Sequence, residues 1–104
     1  MENQIKGLMK QVRRILELSE KSRNNDKSLG LNLWRLYYAE KIKILPSGET
    51  YVLTSDIMGL PSMDYISRCR RKIQEGGEYL PTSWEVAERR GIAEGEWRNY
   101  MLNN

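Results

Sequence analysis

Residues 59–77 read GLPSMDYISRCRRKIQEGG. The stretch carries both ends of one helix and the pattern that sorts its faces. Pro61 cannot continue a preceding helix and Ser62 is a favoured N-cap, so the spacing predicts a helix from Met63. Gly76 and Gly77 stop it after Glu75. Ile66, Cys69 and Ile73 recur at i, i+3 and i+7 and define the side that packs on a core. Asp64, Ser67, Arg68, Arg71 and Lys72 then face outward. Four of the five residues 68–72 are basic, so the outward side is a cationic ridge. Arg70 falls at the border, where its stem packs and its head reaches water.

Upstream, Thr54 or Ser55 caps a helix of little more than one turn, which Gly59 ends. In residues 42–53, Ile42, Ile44, Tyr51 and Leu53 alternate around Pro46-Ser47-Gly48, a pattern that suits either one short hairpin or a loop. Before it, Asp26 or Ser28 caps a helix bearing Leu29, Leu33, Trp34, Tyr37, Ala39 and Ile42, with Trp34 and Tyr37 as core aromatics. The turn residues Asn24 and Asn25 separate this helix from an N-terminal amphipathic one. That first helix places Ile5, Leu8, Met9, Val12, Ile15 and Leu16 on one face. Downstream, Thr82 with Glu85 forms a T-x-x-E capping box, and Trp97, Tyr100 and Met101 supply an apolar anchor.

The expected fold is mainly α: one small helix-turn-helix or winged-helix-like domain with a short hairpin near 42–53. Its organisation is an N-terminal amphipathic helical part (1–25), a helix-turn-helix-like core (26–80) and a C-terminal helical tail (81–104). A chain of 104 residues supports one modest core.

Composition excludes several chemistries. No His is present and Cys69 is the single cysteine, so neither a His-based triad nor a Cys-pair metal site is available. Cys69 reads as an apolar core thiol. Asp64 and Glu75 are about three helical turns apart, too far to work as a carboxylate pair. The expectation is therefore no enzyme, no catalytic residues, no metal and no cofactor. The charged start MENQIKGLMKQVRRIL is not a signal peptide, and no apolar run reaches the length of a membrane span. A cytoplasmic protein that does not engage a membrane is expected.

The remaining signal is cationic. The net charge is +3, a mild preference for an anionic partner. A short helix, a glycine-bearing turn and a second helix with exposed arginines is the arrangement that reads a DNA groove. Arg bonds guanine bidentately, and Ser bonds bases or phosphates. Ser67, Arg68, Arg71 and Lys72 are the candidate duplex contacts, with Arg13, Arg14, Lys41 and Lys43 as candidate phosphate contacts. Double-stranded DNA is the expected partner, read by a monomer or by a homodimer on two half-sites. The alternative is a protein-binding inhibitor or adaptor that blocks a host protein, with Trp97 and Tyr100 as hot spots.

Gly59, Leu60, Ser62, Ile66, Ser67 and Arg68 resemble the turn and second-helix start of helix-turn-helix regulators. Pro61 adds one residue to the usual spacing, and the first helix of the pair is short. More widely, RNNDKSLGLNLW and SRCRRKIQEGGEYLPTSWEVAERR resemble a group of small proteins encoded by phages and prophages of Gram-positive bacteria. The matching residues are Arg23, Asn24, Asp26, Lys27, Arg68, Arg70, Arg71, Lys72, Gln74 and Pro81. The resemblance implies a phage-related origin and action in the host cytoplasm.

Overall fold

A computed structural model describes residues 2–103, with side chains from Gly7 onward. The chain runs α1 (Glu2–Leu18), α2 (Glu20–Asn24), α3 (Asp26–Tyr37), a 3-10 turn (Ala39–Lys41), β1 (Ile42–Ile44), β2 (Thr50–Val52), α4 (Thr54–Ile57), α5 (Met63–Glu75), α6 (Trp84–Arg89) and α7 (Glu94–Asn103). It is a small, mainly α domain with a short hairpin, as the sequence pattern predicts.

Helices α1, α3 and α5 pack on one another. The apolar side of each supplies the core: Val12, Ile15 and Leu16 from α1, Leu29 and Leu33 from α3, and Ile66, Cys69 and Ile73 from α5. Val12, Leu16, Leu29, Leu33 and Ile66 are fully buried. Burying each such side chain is worth about 1.5–3 kcal/mol, which holds three short helices that would be marginal alone. Ile5, expected on the same face of α1, lies outside the described side chains. Where α3 meets α5, the Met63 thioether lies over Gly30, in space that a Cβ there would take.

Two devices aim α5. At its start the Ser62 hydroxyl accepts from the Tyr65 amide, and the Trp34 indole donates to the Pro61 carbonyl at 2.9 Å. The turn ahead of α5 is thereby fastened to α3. At its end Gly77 adopts φ +84°, and the Glu78 and Gly77 amides donate back to the Ile73 and Gln74 carbonyls. That Schellman closure satisfies carbonyls the helix leaves open. The C-terminal part repeats the scheme: Ser83 caps α6, and the Trp97 indole donates to the Pro81 carbonyl at 2.8 Å. Trp84 and Trp97 meet with ring centroids 5.3 Å apart, which seats α7 on α6.

The hairpin is antiparallel, with Ile42 opposite Val52, Lys43 opposite Tyr51 and Ile44 opposite Thr50. Gly48 turns it at φ +91°. Ile42 and Val52 are half-buried, whereas Ile44 is 72% exposed. The radius of gyration is 15.0 Å, against about 13 Å for a compact chain of this length.

The structure corrects several local expectations. The cap of α3 is Asn25, whose Oδ1 accepts from the Ser28 amide at 3.0 Å, and not Asp26 or Ser28. The helix ends at Tyr37, so Ala39 falls in the 3-10 turn and Ile42 in β1. Tyr37 is exposed, and Tyr38 packs against the core in its place. Residues 20–24 form the short helix α2, because Ser19 caps it, where the sequence suggested only a break. Leu53 precedes α4 without a side-chain cap, so neither Thr54 nor Ser55 serves. The α6 cap is Ser83; the Thr82 hydroxyl instead accepts from Asn24.

Candidate nucleic-acid interface and the clasp behind it

Arg70 does not reach water. It is 7% exposed, and its Nε and Nη2 donate to the two carboxylate oxygens of Asp26, both at 2.9 Å. A fork-to-fork pair of this kind is the strongest geometry open to an arginine. Ser67, expected to face DNA, also turns inward: its hydroxyl donates to Asp26 Oδ2 at 3.1 Å. Arg90, the C-cap of α6, approaches Asp26 Oδ1 at 3.6 Å, and its Nη1 donates to the Arg23 carbonyl and to Gln74 Oε1. Gln74 in turn donates to the carbonyls of Arg23 and Tyr79. Among the described residues, every buried side-chain polar atom has a partner.

The short segment 23–26 organises this clasp. Arg23 Nε donates to the Leu16 carbonyl at 2.7 Å, and its guanidinium lies over the Tyr79 ring at 5.3 Å. Asn24 donates to Thr82 and accepts from the Ser83 amide. Asn25 caps α3, and Asp26 holds the two arginines. Four consecutive polar side chains thus tie α1, α3, α5 and α6 together. Tyr79 sits at φ +48°, a backbone region that L-residues enter rarely.

Charge in the clasp is unevenly matched. Burial raises the Asp26 pKa, but the hydrogen bonds and charge of Arg70, the charge of Arg90 and the Ser67 hydroxyl outweigh it and hold the carboxyl below its usual range. Burial first, and then repulsion by Arg70, pushes Arg90 down to about 10, against the pull of Asp26. Arg90 remains protonated at neutral pH. Burial pushes the Cys69 thiol up, as suits an inert core thiol, with Lys72 opposing weakly.

The outward side of α5 is different. Arg68, Arg71 and Lys72 are exposed. Arg68 lies over the Tyr65 ring at 5.7 Å, and none of the three has an ion-pair partner among the described residues. The other predicted contacts are occupied to differing degrees. Arg13 Nη1 reaches both oxygens of Glu78, at 2.9 and 3.0 Å. Arg14 pairs with Glu17 at 3.4 Å. Lys43 donates to the Glu40 carbonyl at 3.4 Å, and the half-buried Lys41 lies against Gly59 at the turn before α5. Among the described residues, the structure therefore keeps three cations without ion pairs together on α5 and does not gather all eight candidates into one unpaired set. Trp97 anchors α7 through its bond to Pro81, and Tyr100 is half-buried.

Two surface features were not foreseen. A cleft of about 490 Å³ opens between α5 and the α6–α7 turn, with Arg71 and Arg89 in its lining. An apolar groove of about 1070 Å³ lies on the hairpin side, among Trp34, Tyr38, Ile57, Met58, Met63 and Tyr65. Met58, at 92%, is its most exposed member. The doublet Arg89-Arg90 was a legible sign of the first. Nothing in the periodicity signalled the second, since its residues come from five separate segments. Among the described residues no three Asp, Glu or Cys side chains gather as a metal site, and no helix is long and apolar enough to cross a membrane. Comparison of the chain with protein-family models, with curated proteins and with solved structures finds no match.

Proposed function

We propose that this chain is a small duplex-DNA-binding module, a phage-type regulator or accessory factor acting in the host cytoplasm. One observation carries the reading: Arg68, Arg71 and Lys72 project from α5 with no ion-pair partner among the described residues, and α5 follows a short helix and a tight turn fastened to the core. The spacing i, i+3, i+4 puts their heads on one side of the helix. Arg68 and Arg71 suit base edges or phosphates, and Lys72 suits a phosphate. Ser67 is held by Asp26 and acts as a positioning residue in this reading. Arg13, already paired with Glu78, is a weaker contact than its sequence position suggests.

The test is retention of a labelled mixed-sequence duplex at low salt. Three cationic contacts predict a slope of log K against log salt of about −2.7. Reversing charge with R68E/R71E removes binding. A wild-type protein that retains no duplex at low salt overturns the reading.

A second reading has its own observation. The groove beside Met58, with exposed Ile57 and Tyr65 in its lining, is the kind of apolar surface that marks a protein interface. The partner would be a host protein or a second copy of this chain. M58E abolishes such an association and leaves duplex retention unchanged. Light scattering distinguishes the second copy, and a nuclease-treated pull-down distinguishes the host protein.

A further inference from the structure

The cleft between α5 and the α6–α7 turn carries more positive charge than its own fold matches. Its lining includes Arg70 and Arg71 of α5, Arg89 at the end of α6 and Arg90 just after it, against Glu75 and Glu96. On its inner side two arginines share one carboxylate: Asp26 takes Arg70 bidentately and Arg90 only at 3.6 Å. The remaining bonds of Arg90 go to neutral acceptors, the Arg23 carbonyl and Gln74 Oε1. On its outer side Arg71 and Arg89 are exposed, and neither has an ion pair among the described residues. Burial first, and then repulsion by Arg70, lowers the pKa of Arg90.

We propose that this cleft seats a phosphate group, specifically a backbone phosphate of the duplex that α5 contacts. Arg71 belongs to both surfaces: it sits three residues from Arg68 on the outward side of α5 and also lines the cleft. A duplex laid along α5 therefore brings one strand's backbone to Arg89. Arg71 and Arg89 bond the phosphate oxygens, and the excess charge of the Arg70–Asp26–Arg90 group adds attraction from behind. Glu75 and Glu96 oppose it, so the seat selects an anion that brings several oxygen acceptors and is weakened by the chain's own carboxylates. The contact is independent of base sequence.

The proposal rests on the duplex-binding reading, and the experiment separates the two. Duplex affinity is measured against salt for wild type, R89Q and E96Q, and inorganic phosphate is titrated into wild type and R89Q with backbone amide shifts as the readout. Arg89 and Glu96 are exposed, so both variants keep the fold. R89Q is expected to weaken binding equally for unrelated duplex sequences and to make the salt slope shallower by about 0.9. E96Q is expected to tighten binding at low salt. If wild type retains duplex while R89Q keeps the same slope, the cleft proposal is overturned and the α5 reading stands. If wild type retains no duplex but phosphate shifts amides at 70–75 and 89–96 in wild type and not in R89Q, the duplex reading fails and the seat is one for a free phosphate. If neither duplex nor phosphate binds, both are overturned.

Discussion

The two sides of α5 carry the same residue type and put it to opposite uses. Arg70 is buried, and its Nε–Nη2 edge is filled by the two oxygens of Asp26. Arg68 and Arg71, one or two positions away, stand in water without a carboxylate partner among the described residues. A helix turns 100° per residue, so neighbours in an R-C-R-R-K run cannot share an environment. A basic run is therefore two populations. One is bonded into the fold; the other contributes little to stability and stands open to solvent.

Replacing Asp26 with Ala should break the inner population most severely. It leaves Arg70 buried without its carboxylate and removes the nearest anion from Arg90. The expected loss is about 3 kcal/mol, within the range for an uncompensated buried charge, read from urea denaturation. The double variant D26A/R70M should lose less than the two single variants combined, because the stranded charge is gone. Should D26A unfold like a surface variant, Arg70 is not held as described.

Next in size is the dependence on acid. The Asp26 carboxyl is held below its usual range in the fold, so its contribution is fully present above the ordinary carboxylate value. It disappears as pH falls through the lower folded value. The acid limb of the stability curve below about pH 4 should therefore flatten in D26N relative to wild type, measured as urea midpoints on descending into acid.

The outer population should behave in the reverse manner. R68A/R71A is expected to change stability by no more than about 0.5 kcal/mol while duplex retention falls steeply. A large stability loss in this variant would erase the distinction between the two sides. The smallest effect belongs to the exposed Arg13–Glu78 pair: R13A should cost about 0.2–1 kcal/mol, and less in high salt. Both partners are roughly half exposed, so water replaces much of what is lost.

Much of the local structure was legible before any coordinates. Ser62, the Gly76-Gly77 stop and the Ile66, Cys69, Ile73 spacing define α5, because capping and periodicity are properties of adjacent residues. The α1 stripe follows the same logic, whereas the alternation around Gly48 suits a hairpin or a loop alike, and the structure decides for the hairpin. The caps were less so: several polar residues stand together at 24–28 and 82–83, and which one caps depends on what the others bond. Asn24 is drawn to Thr82 and Ser83, and Asp26 to Arg70, which leaves Asn25 to cap α3.

Amino-acid order alone thus determined both ends of α5, which side of α1 and of α5 is apolar, and that catalysis by His or paired Cys was out of reach. Tertiary structure alone decided which arginines are free. Asp26 and Arg70 are 44 positions apart, and Arg13 and Glu78 are 65 apart. No periodicity within a segment encodes such meetings. They arise only when the apolar sides of α1, α3 and α5 close on one another and bring distant charges within bonding distance, where removing an arginine from water demands a matching carboxylate.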